Sequence, residues 1–144
     1  METKNSLEPF KEFLEQSLVP LRLACITRQG WPLVLSLWYL YETDRIFCAT
    51  QRSSKLVHHL ERNPRCAFEV AGDQPPYLGV RGQGEAFLLP DRGREMLELL
   101  IGRYLQRSDT PLCKTLLSRA DDEVAIEIRP LRIFAWDYTS RMKN

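Results

Sequence analysis

Residues 33–42 read LVLSLWYLYE, a stretch apolar on both faces of a strand. At the two-residue period of a strand, Leu33, Leu35, Leu37 and Tyr39 fall on one side, and Val34, Trp38 and Leu40 on the other. Such a strand must be covered on both faces. Before it, residues 21–28 (LRLACITR) alternate, with Leu21, Leu23 and Cys25 on one side. Gly30-Trp31-Pro32 predicts the turn between the two. Glu42-Thr43-Asp44-Arg45 predicts a hairpin into a third strand, RIFCAT. Strand patterns recur at residues 65–71, 78–89, 123–129 and 132–138, and Gly79, Gly82 and Gly84 predict bends in the long one.

Helical spacing appears in four places. Ser6 predicts the cap of a short helix carrying Phe10, Phe13 and Leu14 on one face. Ser54 to Arg62 has Leu56, Val57 and Leu60 on its apolar side and stops at Asn63-Pro64. After Asp91, a predicted cap, the stripe Met96, Leu97, Leu100, Ile101, Tyr104 and Leu105 reads as core. A shorter helix is predicted over residues 111–118. Hairpins, bends and a two-sided strand imply a mainly β (α+β) domain over residues 1–144. The expected architecture is an antiparallel split β-barrel of six to seven strands with three to four short peripheral helices.

Composition narrows the classes. A net charge of +1 across 144 residues gives no global field for nucleic acid. Apolar rather than basic-aromatic strand faces also argue against an oligonucleotide-binding barrel. No apolar run approaches the roughly 20 residues that span a bilayer, so no membrane is expected. The four cysteines form no CxxC pair, which predicts reduced, buried thiols in a cytoplasmic protein and no metal site.

The chemistry gathers where the third strand hands over to a helix, in Thr50-Gln51-Arg52-Ser53-Ser54-Lys55. From Gln51 to Arg65 the chain carries Arg52, Lys55, Arg62 and Arg65 against Glu61, a local excess of +3. Free N–H groups and the dipole of a helix N-terminus favour anions, phosphate above all. Serine caps and solvated basic faces produce the same pattern, so local features leave both readings open. His58 and His59 have no carboxylate or serine at triad spacing and read as surface or interface residues.

With the strands before it, this stretch resembles the flavin-binding split barrels of the pyridoxamine 5'-phosphate oxidase type. The shared features are Thr50, Ser54, Lys55, a short helix and Asn63-Pro64, and Pro130 followed six residues later by Trp136. The similarity covers roughly residues 20–138. It implies a homodimer with flavin mononucleotide (FMN) at the interface. The phosphate would lie at Thr50, Arg52, Ser53, Ser54 and Lys55, beside Ala49. The ring would run along Ser36, Leu37 and Trp38, with Trp136 reaching it from the partner; core or interface packing is the other reading of both tryptophans.

Three departures bear on activity. The oxidases carry Arg-Lys after the serine, and this chain has Lys55-Leu56, so one phosphate cation is either missing or replaced by Arg52. They carry a glutamine where Gly79 aligns. Their C-terminal substrate-holding segment is replaced by Ser140-Arg141-Met142, so pyridoxamine phosphate oxidation itself is not expected. The expectation is a small FMN-dependent oxidoreductase acting on a small molecule. Rival readings are the same fold binding a deazaflavin or haem, and a non-catalytic flavin-binding or sensing protein.

Overall fold

In the computed structural model, which describes residues 2–106 and 109–142, β3 (Pro32–Leu37) and β4 (Leu40–Glu42) are consecutive in the chain yet form opposite edges of one sheet. The other strands are β1 (Glu2–Lys4), β2 (Leu21–Ile26), β5 (Arg45–Gln51), β6 (Arg65–Ala71), β7 (Leu78–Leu89) and β8 (Glu123–Asp137). All pairings are antiparallel, in the order β3-β2-β6-β7-β8-β5-β4, with β1 beside the end of β8. Only Trp38 and Tyr39 join the two edges. Three peptide steps reach at most about 11 Å, whereas seven flat strands would separate the edges by about 29 Å. The sheet therefore has to curl until its edges approach, which gives the expected split barrel. Four helices lie around it: α1 (Lys11–Gln16), α2 (Lys55–Arg62), α3 (Gly93–Tyr104) and α4 (Pro111–Ser118).

Two boundaries differ from the sequence pattern. Residues 33–42 are two strands rather than one, because their halves belong to different edges. Residues 123–129 and 132–138 are one strand of 15 residues rather than two. The ladder shifts register opposite Gln83 and Gly84, so that Pro130 pairs with Gly84, Arg132 with Gln83, and Leu131 drops out. A bulge is where a strand tolerates a residue that lacks an N–H. Asp91 does not cap α3: a 3-10 turn over Pro90–Arg92 precedes the helix, and no side chain caps it. Ser6 accepts a hydrogen bond from the Glu8 amide at 3.1 Å, ahead of the helical segment that leads into α1.

The barrel interior is filled by Leu21, Leu23, Ile46, Phe68, Val70, Val80, Ile126, Ile128 and Ile133. All four cysteines are free and buried, and burial pushes the Cys25, Cys48 and Cys66 thiols up. Alternation along β5 sends Ile46 and Cys48 inward, while Phe47 and Ala49 face outward onto α3 with Met96 and Leu100. The strand break is pinned from both sides. The Trp38 ring stacks on Tyr104 at 5.0 Å and 6°. The Tyr39 hydroxyl shares its proton between the carbonyls of Leu14 (2.7 Å) and Ser17 (3.0 Å) at the end of α1. Burial pushes that phenol up to about 12, so it stays a donor near neutral pH. Among the described residues, no helix is long and apolar enough to cross a membrane.

The start of α3 packs directly on the start of β8. A Cβ on Gly93 would meet the Glu123 carbonyl oxygen at 1.8 Å, whereas a Cβ on Gly102, in the same helix, would meet nothing within 4 Å. Gly93→Ala should therefore destabilise the fold by about 1–3 kcal/mol. Gly102→Ala should stabilise it by about 0.5–1 kcal/mol through helix propensity. Denaturant unfolding of both variants checks the opposite signs; equal effects would mean that α3 does not dock on β8.

Candidate functional site

The handover from β5 to α2 forms as the sequence implies. Ser54 adopts an extended conformation, and its Oγ accepts from the Val57 amide at 3.3 Å, capping α2. The Lys55 and Leu56 amides, in the first turn, have no carbonyl within the helix to bind. Arg52, Ser53 and Lys55 are exposed, and among the described residues their side chains make no hydrogen bond or ion pair. Thr50 and Ser54 are half-buried beside them. Arg62 belongs elsewhere: its Nη2 donates to the Ile26 carbonyl at 3.0 Å, seven residues from the N-terminal end. Arg52 and Lys55 are thus the cations at this end of the helix. The Arg52 amide donates to the Asp122 carbonyl at 2.7 Å, which fastens the loop to the beginning of β8.

Ser36, Leu37 and Trp38 end an edge strand, where the backbone groups on the open side have no ladder partner. These three residues and Ala49 line one cavity of about 260 Å³, with Leu97 and Leu100 of α3, Leu116 of α4 and Glu123 completing the wall. Four of the residues implied by resemblance thus meet in one place, and Thr50–Lys55 follow Ala49 directly along the chain. The outward side of the α3 stripe doubles as a wall of this cavity.

Glu123 is a member that sequence reasoning missed. In the run Asp121-Asp122-Glu123 it looks solvated, yet it is only 6% exposed. It stands opposite Gln51 in the β5–β8 ladder, and the Gln51 Nε2 donates to its Oε2. Burial raises its carboxyl above the usual range, offset by the Gln51 hydrogen bond and the Arg119 charge. The available signal was the two-residue period of β5, which puts Gln51 on the same face as Ala49.

Trp136 is not brought to this cavity within one chain. It pairs with Gly79, whereas Thr50 pairs with Val124, twelve residues back along β8, or at most about 40 Å of strand. A Cβ on Gly79 would lie 2.8 Å from the Trp136 ring, so glycine there makes room for the indole. His58 is exposed, and His59 is half-buried with Nδ1 lacking a partner; neither lines the cavity. A second feature occupies the outer face of β2, β3, β6, β7 and β8. There a groove of about 580 Å³ lined by Arg22, Val34, Glu69, Arg81 and Phe134 adjoins one of about 490 Å³. Both share Ala24, Ala67 and Gln83. Val34 and Leu131 stand 63% and 59% exposed beside them.

Comparison with solved structures returns the same fold. The conserved hypothetical protein Rv2991 from Mycobacterium tuberculosis is 24% identical, with a TM-score of 0.79 over 96% of this chain and 89% of that one. An F420 reductase is also 24% identical, with a TM-score of 0.69 over 85% of this chain and 94% of its own. The haem storage protein HutZ from Vibrio cholerae is 16% identical, with a TM-score of 0.67 over 90% and 94%. At these identities the likeness is one of fold. No curated protein matches the chain. The sequence profile described as pyridoxamine 5'-phosphate oxidase matches residues 7–137, and the chain belongs to the pyridoxamine 5'-phosphate oxidase family.

Proposed function

We propose that this protein is a homodimer that binds flavin mononucleotide and serves as a small flavin-dependent oxidoreductase. The observation that carries this reading is the gathering of Ser36, Leu37, Trp38 and Ala49 around one cavity, immediately before a capped helix N-terminus with two free cations. The donor set suits a phosphate monoester. Lys55 and Arg52 supply charge, Ser53 and Thr50 supply hydroxyls, and the first-turn amides supply a dipole. The Ser54 hydroxyl already accepts from Val57 and still has a proton to donate. The open edge of β3 offers backbone groups to a planar ring, and Leu97, Leu100 and Leu116 exclude water from it. A bound flavin supplies the hydride chemistry; the chain binds the phosphate, orients the ring and keeps its surroundings dry.

A second copy fits the outer face of the sheet. Val34 and Leu131 are exposed there. Trp136 shares that side of β8 with Phe134, its alternate neighbour, and the Arg81 guanidinium lies 5.2 Å from the indole. One protomer's cavity of about 260 Å³ falls below the roughly 300–1,000 Å³ of a ligand cleft, which supports a site completed by the partner with Trp136 at its rim. The solved relatives named for F420 and for haem make a deazaflavin or haem the rival ligands. Among the described residues, the cavity lining carries no histidine, cysteine, methionine or tyrosine for haem iron, which favours a flavin-type ring.

Lys55→Ala removes a charge-assisted hydrogen bond worth about 1.5–3 kcal/mol, so FMN should bind roughly ten- to a hundredfold more weakly. Riboflavin, which lacks the phosphate, should bind parent and variant alike, and exposed His58→Ala should change neither. Equal losses for both ligands in fluorescence titrations would place Lys55 in folding rather than in phosphate binding. Sedimentation at micromolar concentration should give a dimer burying more than roughly 1,200 Å². Ala67→Arg, in the middle of the outer face, should shift it toward monomer; a monomeric parent would remove the shared site.

A further inference from the structure

Glu123 is the one buried charged side chain among the described residues, and it supplies the only carboxyl in the wall of the cavity. Gln51 fixes it in place. The Gln51 Nε2 bonds both the Glu123 Oε2 and the Arg119 carbonyl, the latter at 3.2 Å. The other carboxyl oxygen makes no hydrogen bond among the described residues. That oxygen is not among the fully buried unpaired atoms, so it is open to the cavity, and a ligand entering there can take it over from water. The wall is otherwise apolar apart from the Ser36 hydroxyl: Leu37, Trp38, Ala49, Leu97, Leu100 and Leu116. A ligand that fits must therefore have a long apolar body and one polar edge carrying a hydrogen-bond donor.

We propose that the free carboxyl oxygen of Glu123 accepts the imide N–H at the polar edge of a flavin-type ring, with Gln51 as its positioning residue. This rests on the flavin reading above and deepens it by naming the edge that enters and the residue that reads it. Flavins and deazaflavins share that imide, flanked by two carbonyls, while their opposite edge is less polar and suits the leucines of α3 and α4. Haem has no equivalent donor. Its pyrrole nitrogens hold the iron, and its propionates would meet the Glu123 charge unfavourably. Glu123 thereby selects for the ligand class and against the haem rival.

The test titrates FMN, 5-deaza-FMN and 3-methyl-FMN, in which the imide proton is replaced by a methyl group, into the purified parent and Glu123→Leu. The parent should bind 3-methyl-FMN about tenfold or more weakly than FMN, the loss expected when a buried acceptor goes unpaired. In Glu123→Leu, FMN itself should weaken and the methyl penalty should shrink below about threefold, since no acceptor remains to be left unpaired. Leucine nearly fills the same space, so a penalty that is merely steric survives the substitution; that result overturns the proposal. Whichever of FMN and 5-deaza-FMN binds more tightly identifies the source of the imide, and loss of the FMN methyl penalty in Glu123→Leu supports the assignment. Thermal unfolding verifies that the variant folds. If it does not, Gln51→Ala keeps the acid but frees it, and the penalty should again fall; an undiminished penalty there overturns the proposal. Binding of none of the three ligands by the parent overturns the flavin reading and this inference together, and differs in kind from ligands that bind with an unchanged methyl penalty.

Discussion

Trp38 and Tyr39 bear the constraint from which the rest of the fold follows. They are the whole connection between the two edges of a seven-stranded antiparallel path, so the sheet can form only by curling. Neither residue is a passive linker. Tyr39 is fully buried and ties the break to the end of α1, while Trp38 stacks on Tyr104 and so ties it to α3. Arg103 reinforces the same corner, donating to the carbonyls of Leu14 (3.0 Å) and Ser17 (2.6 Å) with its guanidinium 4.9 Å from the Tyr39 ring. The point at which the barrel splits is also the point at which a strand edge is left open. Closure of the sheet and creation of an open strand edge beside the cavity are one structural event.

That geometry explains why the cavity lies outside the barrel. The interior is occupied by apolar side chains, whereas β3 turns its end toward α3 and α4 rather than toward another strand. β5 serves both compartments through its alternation. Ile46 and Cys48 build the interior; Phe47, Ala49 and Gln51 build the outer compartment, up to the helix that follows. The cavity wall and the polar junction are then consecutive parts of one strand–helix unit, held to the start of β8 by Arg52 and Asp122.

Much of this was legible because local chemistry decided it. Ser54 caps α2, Asn63-Pro64 ends it, and the outward and inward positions of β5 follow a simple period. Thr43 and Asp44 make the hairpin between β4 and β5 with φ of 46° and 63°, the positive values that a two-residue turn requires. What stayed hidden depended on distant partners. The break at Trp38 reflects the closing of the sheet, which no window of ten residues contains. The continuity of β8 through Pro130 reflects Gln83 and Gly84, nearly fifty residues away. Glu123 reads as one of three adjacent acids, and only its pairing with Gln51 and the close approach of Gly93 take it out of water.

The proposed occupant of the cavity beside the α2 junction is a phosphorylated flavin-type ring. Its most direct test is the absorption spectrum of the purified protein after equilibration with FMN, and separately with haemin, followed by gel filtration to remove loose ligand. A flavin spectrum should stay with the protein, its bands shifted from those of free FMN, with no retained Soret band. A retained Soret band with no retained flavin would contradict it.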